Sequence, residues 1–452
     1  MSKAFDTVNL HKLINKIRNQ HIQPTITKFI ANYLKGRKGF THYQNHNSKQ
    51  QIFKTGVPQG GVLSPALFNV YTSDIPQPPP GVHIVSYADD ITILSSHHNY
   101  RIAEQNIQLY LEIIHAWTIE NNPQLNASKS TSTLFTPDPA EYSTQLALQI
   151  DNTIVPTVKN PKILGLTFDP KLNFSKHIQA TTEKAQNSLK ITKALAGTSW
   201  GKQKECLLAT YKTITRPIIE YASTVWSPIA STTNTNKLQV IQNSALRTAT
   251  GNTIDTNTPH LHQETQVLPI AEHLKLHASQ LRQKARDPEH PLYSLTHQPE
   301  LTRWMKQSIF QNRNYTTNLE TGTIKENIKT IHSEIVTNYT RRIEPNKVLH
   351  EQAPPIHPSE QELPRQTRRV LAQLRTNKSP LLLEYMNKID PVNHPSPSCP
   401  LCGRSPHDSR HLFNCPEIST TLGPRDLWEN PTGVAEVLRM WGSGLGWNQE
   451  WG

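Results

Sequence analysis

Two groups of side chains have residue types and spacings suited to metal chemistry. In SYADDITIL, Asp89 and Asp90 stand side by side between two short apolar runs. Such runs are typical of a β-hairpin, so residues 87–90 are predicted to form a tight turn with both carboxylates at its tip. Divalent ions that prefer oxygen ligands, held about 3.5–4 Å apart, stabilise the attacking and leaving oxygens of a phosphoryl transfer. Adjacent aspartates are also common in solvated turns that bind no metal, so both interpretations are open.

The second group lies in CPLCGRSPHDSRHLFNC, near the C-terminus. Cys399, Cys402, His411 and Cys415 have the spacing C-x2-C-x8-H-x3-C. Three thiolates and one imidazole fill a tetrahedral Zn²⁺ site and leave no position for water, so the predicted site is structural. His407 is an alternative ligand with a less suitable spacing, and a redox-active or unligated cluster is the competing interpretation.

Composition suggests a polyanionic partner. The 452 residues include 47 Lys and Arg against 35 Asp and Glu, a net charge of +12, and residues 1–40 hold eight basic side chains against one acid, Asp6. Such an excess suits nucleic acid, although a merely solubilising surface is the alternative. No run approaches the roughly 18 apolar residues of a membrane span, and the N-terminus has no apolar signal segment. We therefore expect an intracellular protein of the cytoplasm or nucleus, without a membrane partner.

The elements that must position these residues follow from periodicity. Apolar residues recur at helical spacing, and helices are predicted over 9–34, 101–120 and 175–250. Residues 35–53 are typical of a charged hairpin. Ser64 is predicted to cap a further helix, with a proline at its first position.

Four motifs in this order resemble the successive palm motifs of reverse transcriptases of non-LTR (LINE-type) retrotransposons. They are GVPQGGVLSPALF, SYADD, NASKS and KILGLTFD, and the opening MSKAFDTV resembles the end of the motif before them. The resemblance covers residues 1–170. It implies an RNA-directed DNA polymerase, a nucleotidyltransferase that adds dNTPs to a DNA primer or target DNA on an RNA template by a two-metal Mg²⁺ mechanism.

The resemblance also implies roles for single residues. Asp89 and Asp90 match the two metal-side aspartates of the family, and Tyr87 matches the aromatic residue two positions before them. Phe5 matches the aromatic that packs under the nucleotide sugar and screens its 2′-hydroxyl.

Further matches lie in the neighbouring motifs. Gln59 and Gly60 match the segment that contacts the templating base and the incoming nucleotide, whereas Gly61 replaces the serine more often found there. Lys129 matches a basic residue proposed to protonate the leaving pyrophosphate, although a solvated turn lysine is an equally open interpretation. Residues 164–168 resemble the primer grip.

The first palm motif of the family carries an aspartate five residues before its aromatic residue. Counting back from Phe5 places that aspartate just before the chain begins, so an N-terminal truncation is expected, most simply from a gene model begun at an internal methionine. Asp6 is not expected to substitute, because six extended residues span about 20 Å; it is expected to be a structural carboxylate. The sequence therefore predicts little or no polymerisation by this chain alone, and its status as an enzyme is uncertain.

The predicted fold is α+β: a right-hand palm without fingers, a helical thumb, a mostly helical or irregular connector, and a zinc knuckle like those that follow the polymerase in many such elements. The predicted domains are 1–172, 173–255, 256–390 and 391–452. The alternative function is a non-catalytic nucleic-acid-binding remnant that uses the basic surface and the knuckle. A metal-dependent nuclease would need a further carboxylate that the sequence does not identify. Whether the knuckle binds RNA or DNA is left open.

Overall fold

The computed structural model describes residues 4–197, 201–296 and 322–445. The chain divides into two compact units, Met1–Leu172 and Asn173–Gly452. The four predicted domains stay a prediction, since this division concerns compactness alone.

The first unit combines helices with short hairpins. Its helices are α1 (Ala4–Thr7), α2 (Leu10–Asn19), α3 (Pro24–Leu34), α4 (Ser64–Thr72) and α5 (Tyr100–Asn121). Its strands are β1 (Lys38–Gly39), β2 (His42–Tyr43), β3 (His46–Asn47), β4 (Gln51–Ile52), β5 (Val82–Tyr87), β6 (Asp90–Ser95), β7 (Gln149–Ile150), β8 (Thr153–Ile154), β9 (Lys162–Ile163) and β10 (Leu166–Thr167). They pair antiparallel as β1–β4, β2–β3, β5–β6, β7–β8 and β9–β10, each pair a separate two-stranded sheet. A mixture of helices and small sheets is thus confirmed.

Local sequence explains where the first helices begin. The side chain of Asn9 accepts hydrogen bonds from the backbone N–H groups of His11 and Lys12, which caps α2. Pro24 opens α3, where its missing N–H costs no helical hydrogen bond. The prediction for Ser64 is wrong by one residue, because α4 begins at Ser64 itself. Its hydroxyl donates to the carbonyl of Pro58 instead of capping the helix.

Apolar faces of α2, α3 and α4 form the main core of the first unit. This core buries side chains from α1 to α4 and from the loop before α4: Ala4, Val8, Leu13, Ile17, Ile30, Leu34, Val57, Leu67, Phe68 and Tyr71. Tyr71 also ties α4 to α5, because its hydroxyl donates to the carbonyl of Asn121 at the end of α5. The loop between β4 and α4 is thereby anchored on a packed helical layer.

The second unit is helical in its described part. Its helices are α6 (Ser175–Ala194), α7 (Lys204–Thr210), α8 (Arg216–Glu220), α9 (Ser223–Trp226), α10 (Thr232–Thr250), α11 (Thr258–Thr265), α12 (Ile270–Lys284), α13 (Tyr293–Thr296), α14 (Ile324–Arg341), α15 (Arg365–Arg375), α16 (Leu383–Ile389), α17 (His411–Asn414), α18 (Asp426–Glu429) and α19 (Pro431–Leu445). A π-helical turn, Tyr211–Thr215, separates α7 from α8. No helix in the described ranges is long and apolar enough to cross a bilayer.

A C-terminal core joins helices that are far apart in sequence. It buries side chains of residues 348–438 against one another: Val348, Val370, Leu371, Leu374, Leu381, Leu382, Tyr385, Leu412, Phe413, Leu427, Trp428, Val434 and Leu438. Because Leu412 and Phe413 belong to α17, the cysteine-rich segment packs into the same core as α15, α16 and α18. Its folding therefore depends on these neighbours as well as on its own turns.

Charged side chains are buried beside this core. The buried ion network consists of Lys204, Glu264, Glu360, Arg368 and Arg375. The Lys204 ammonium lies 3.2 Å from Glu264 and 3.0 Å from Glu360. The Arg375 guanidinium lies 3.1 Å from Glu264 and also contacts Glu360, while Nε of Arg368 lies 3.5 Å from Glu360. Three helices and the turn at Pro358–Glu362 are thus held together by charges that water does not screen.

Candidate active site and metal centre

The hairpin β5–β6 presents the two adjacent aspartates as predicted. Tyr87 pairs with Asp90, and Ala88 and Asp89 form a two-residue connection. Ala88 has a φ of 52°, as the first central residue of a type II′ turn requires. Asp90 is exposed and Asp89 is half-buried. Two carboxylates therefore stand at the accessible tip of a closed turn.

One face of this hairpin packs on α5, and this packing fixes the direction of its tip. Val82 is buried against Tyr110 and Ile114 of α5, with Ile84 and Ile93 packed around them. Strand residues alternate between faces, so the residues one position along point to the opposite side. Side chains on that side include Val85, Tyr87 and Asp90, all of which are exposed. Asp90 and Tyr87 therefore lie on the face of the hairpin opposite α5.

The loop before α4 is held closely against α1. The backbone N–H of Gly56 donates to the carbonyl of Val8 and that of Val57 to the carbonyl of Phe5, both at 2.8 Å. Gly56 has a φ of +83°, and a Cβ there would lie 2.8 Å from the Cα of Asp6. Only glycine permits both the backbone conformation and this approach.

Three of the predicted nucleotide-binding residues, Phe5, Gln59 and Gly60, lie at the contact between α1 and the loop before α4. Phe5 stacks on Phe68 of α4, with ring centroids 4.7 Å apart and planes at 18°. The Gln59 amide donates to a carboxylate oxygen of Asp6 over 3.1 Å at the surface; a structural role for Asp6 stays a prediction. Gly60 has a φ of +85° and open space around it. The nucleotide contacts proposed for these residues stay predictions.

The remaining palm positions lie in turns of the same unit. Lys129 is exposed at the end of a short 3₁₀ turn, Ala127–Lys129. Its backbone N–H donates to the side-chain oxygen of Asn126 over 3.0 Å. Leu164 and Gly165, with φ values of 45° and 83°, form the turn between β9 and β10, as in a type I′ hairpin. Lys129, the predicted proton donor, and residues 164–168, the predicted primer grip, therefore lie at or beside turns. Their roles stay predictions.

Near the C-terminus the structure gathers the four predicted metal ligands. The ligand atoms of Cys399, Cys402, His411 and Cys415 all lie within 4.8 Å of one another. The sulfurs of Cys399 and Cys415 are 3.9 Å apart, and the sulfur of Cys402 is 3.3 Å from Nε2 of His411. Zn–S and Zn–N bonds of about 2.3 and 2.0–2.1 Å place tetrahedral ligand atoms roughly 3.5–3.8 Å apart. The donor set and its spacing therefore fit Zn²⁺.

Local turns position these four ligands. Gly403, with a φ of +71°, donates its N–H to the carbonyl of Cys399 over 2.9 Å, which closes the knuckle. Asp408 caps the start of α17 by accepting the N–H of His411 over 2.8 Å. Burial raises the pKa of the Cys415 thiol, and the adjacent thiols raise it further. A cation would offset the cost of holding thiolates together there.

His407, the alternative ligand, has a different partner. Its Nδ1 accepts the backbone N–H of Leu383 over 3.0 Å, and burial together with the neighbouring His411 lowers its pKa to about 4. His407 thus links the zinc segment to α16 as a buried neutral imidazole. This arrangement favours His411 as the fourth ligand.

Sequence reasoning did not identify a third group of ligating side chains, Glu220, His273 and His277. The two histidines are four residues apart in HLKLH, and this spacing predicts that they share one face of a helix. Glu220 comes from a different helix more than fifty residues earlier, and no local pattern links it to them.

Known proteins that are similar in sequence to this chain include reverse transcriptases, the family that its motifs resemble. Residues 1–168 match the family model for reverse transcriptase (RNA-dependent DNA polymerase). The chain is 28% identical over 293 residues to the "Probable RNA-directed DNA polymerase from transposon BS" of Drosophila melanogaster. The aligned region covers 63% of this chain and 32% of that protein. It is 25% identical over 282 residues to the "RNA-directed DNA polymerase from mobile element jockey" of the same species. That alignment covers 61% of this chain and 30% of the jockey protein.

Residues 1–168 are therefore similar in sequence to the reverse transcriptase family. Within that family its relatives are the RNA-directed DNA polymerases of non-LTR, LINE-type retrotransposons, which confirms the resemblance seen in the motifs. The chain spans about a third of the length of these curated relatives.

Proposed function

We propose that residues 1–172 act as the palm of an RNA-directed DNA polymerase, which adds dNTPs to a DNA primer on an RNA template. The observation that carries this proposal is the β5–β6 hairpin, with Asp89 and Asp90 at an accessible tip. Carboxylate oxygens are the ligands that Mg²⁺ prefers. Bound there, Mg²⁺ would supply the positive charge that stabilises the developing charge of a phosphoryl transfer.

The surrounding residues have assigned parts in this proposal. Phe5, held by its stack on Phe68, would contact the sugar of the incoming nucleotide and disfavour a 2′-hydroxyl. Gln59 and Gly60 would contact the templating base and the incoming nucleotide, and Tyr87 would also bind the nucleotide. Lys129 would donate a proton to pyrophosphate.

The remainder of the chain would hold nucleic acid. We propose a helical thumb over 173–255, a connector over 256–390 and a zinc-bound knuckle over 391–452 that contacts the template RNA or the target DNA. The Cys399, Cys402, His411 and Cys415 site would take one structural Zn²⁺, because four donors leave no position for water. A location in the cytoplasm or nucleus stays a prediction.

A second candidate function is nucleic-acid binding without catalysis. The observation that favours it is the charge of residues 1–40, with eight basic side chains against one acid. Contacts of this kind release counterions and weaken steeply with salt, whether or not a reaction follows. An experiment must therefore separate binding from incorporation.

We expect Mg²⁺-dependent dNTP incorporation on an RNA template to fall by about 100-fold or more in Asp89→Asn and in Asp90→Asn, because each substitution removes a metal ligand worth several kcal/mol. The matched control is Asp151→Asn, which changes a carboxylate at the exposed turn between β7 and β8. It should leave incorporation unchanged.

The sequence predicts little or no polymerisation by this chain alone, so the assay uses excess protein over primer–template and long incubation to detect any residual incorporation. Affinity for the same duplex is measured in parallel across a range of salt concentrations. Incorporation that survives in both Asn variants would refute the assigned site. Salt-sensitive binding without any incorporation would support the second candidate.

A further inference from the structure

Three side chains in the helical unit form a compact group of metal-ligand types. Glu220 ends α8, and His273 and His277 lie on α12. Their ligand atoms all lie within 4.8 Å of one another. Nε2 of His273 is 2.6 Å from a carboxylate oxygen of Glu220, and the two imidazole rings have centroids 4.4 Å apart.

The fold brings the group together through two local features. Residues four apart on a helix share a face, so α12 aligns both imidazoles toward the same neighbour. Glu220 reaches them from the segment that follows the π-helical turn Tyr211–Thr215. A π-turn inserts an extra residue and changes the direction of the following side chains, and such turns are frequent at functional sites.

The group is largely shielded from water. The side chains of His273 and Glu220 are only 12% and 22% exposed. Neutral imidazoles and an ionised carboxylate are the forms of these side chains that coordinate metals.

A cation already lies in the group. Nε of Arg216 donates to Glu220, and one terminal nitrogen of its guanidinium lies 2.8 Å from Nδ1 of His273 and also contacts Nε2 of that ring. A guanidinium has only donors, and a neutral imidazole accepts at only one nitrogen. With Nε2 of His273 against Glu220 and Nδ1 against Arg216, both nitrogens of this ring have partners. A metal ion can therefore reach the ring only by displacing Arg216.

Tyr211, the first residue of the π-turn, is fully buried. Its hydroxyl has no hydrogen-bond partner in the described structure. Arg216 and Glu220 both influence the pKa of this hydroxyl, so it lies within their electrostatic range. A buried hydroxyl without a partner is costly unless water or a ligand satisfies it.

We propose that Glu220, His273 and His277 form a second divalent-metal site, which takes a borderline transition ion such as Zn²⁺ and displaces Arg216. Two imidazoles and one carboxylate are a donor set that such ions use. Zn–N and Zn–O bonds of about 2.0–2.2 Å require ligand atoms roughly 3.3–3.6 Å apart. Nε2 of His273 and the carboxylate oxygen of Glu220 are 2.6 Å apart, so these two groups must separate slightly when the ion binds between them. The fourth position is left for water.

The site is tested with the full chain, using Zn²⁺ and Co²⁺ as probes. Wild-type protein should bind two Zn²⁺ per chain, one at the cysteine site and one here, and His277→Ala should bind one. The Co²⁺ absorption band from sulfur ligands should persist in His277→Ala, while the bands of a nitrogen and oxygen site disappear. His332→Ala, which changes an exposed histidine of α14, is the matched control and should retain both ions.

Arg216→Gln gives a second test that misfolding cannot imitate. Removal of the competing guanidinium should tighten Zn²⁺ binding at this site by about tenfold, the equivalent of one displaced ion pair. Tighter binding together with the loss in His277→Ala would establish the site. One Zn²⁺ per wild-type chain, an unchanged ratio in His277→Ala, or weaker binding in Arg216→Gln would each overturn it and leave an ion-pair network alone.

Discussion

Replacement of Cys415 by serine is expected to release zinc from the C-terminal site and to unfold the core around it. Cys415 is buried, and Leu412 and Phe413, which lie between two of the ligands, pack into the C-terminal core with Trp428. Structural Zn²⁺ supplies about 10–16 kcal/mol of folding free energy in isolated zinc-binding peptides. Loss of one ligand should therefore cost about 5 kcal/mol or more, a large part of a domain's stability.

Metal content and hydrogen exchange measure this effect together. Zinc per chain should fall by one in Cys415→Ser, and the backbone amides of residues 411–414 should lose their protection. Cys206→Ser is the matched control, since Cys206 is exposed and lies outside the site; it should keep both zinc and protection. A Cys415→Ser protein with full zinc content, or zinc-free wild-type protein with unchanged protection, would contradict the assigned site.

Glu360→Gln is expected to destabilise the helical unit by about 3–5 kcal/mol, the usual effect of breaking a buried ion pair from one side. Glu360 contacts Lys204 and Arg375, and the Arg375 side chain is almost fully buried. Without the Glu360 charge, Glu264 alone remains to balance both cations. Denaturant unfolding gives the difference in the free energy of unfolding between the two proteins. Hydrogen exchange of the α15 amides shows whether the loss of stability lies at the buried ion network.

The same carboxylate makes stability depend on pH. Burial alone would raise the pKa of Glu360, but the charges of Arg375 and Lys204 lower it to about 2. A pKa depressed in the folded state gives stability that is present above the unfolded value, about 4.3, and is lost as the pH falls toward 2. The wild-type free energy of unfolding should therefore fall across this window, and Glu360→Gln should show a shallower fall.

Glu351→Gln is the control for both measurements. Glu351 pairs with Arg425 at the surface, where both side chains are more than half exposed, and such pairs contribute about 0–1 kcal/mol. Its effect on stability and on the acid slope should be small. Equal effects of the two substitutions would show that the buried ion network does not stabilise the fold.

Features fixed by short stretches of sequence could be predicted. The tight turn at Asp89 and Asp90 follows from two apolar runs around a polar pair, and α2 and α3 follow from apolar spacing with Pro24 at a helix start. The grouping of Cys399, Cys402, His411 and Cys415 could be predicted, because their spacing alone places them on one knuckle and one helical turn.

Features that depend on distant residues could not be predicted. Lys204 and Arg375 meet the same carboxylates although 171 positions separate them, and no local pattern records that contact. Glu220 joins two histidines only because a π-turn redirects the segment before α8. The start of α4 differed by one residue because Ser64 bonds to Pro58, a partner that capping statistics do not anticipate.

Iron-directed backbone cleavage tests the central claim most directly, because it needs no turnover. Fe²⁺ replaces Mg²⁺ at oxygen-ligand sites. Added hydrogen peroxide oxidises it to Fe³⁺ and is split into hydroxide and a hydroxyl radical, which cuts nearby peptide bonds, and ascorbate reduces the iron for the next cycle. We predict cleavage at residues 87–91 that excess Mg²⁺ suppresses, that Asp89→Asn and Asp90→Asn abolish, and that Asp151→Asn leaves unchanged. Absence of cuts at this hairpin, or equal cleavage in the Asn variants, would contradict the assignment of Asp89 and Asp90 as the metal ligands of a polymerase palm.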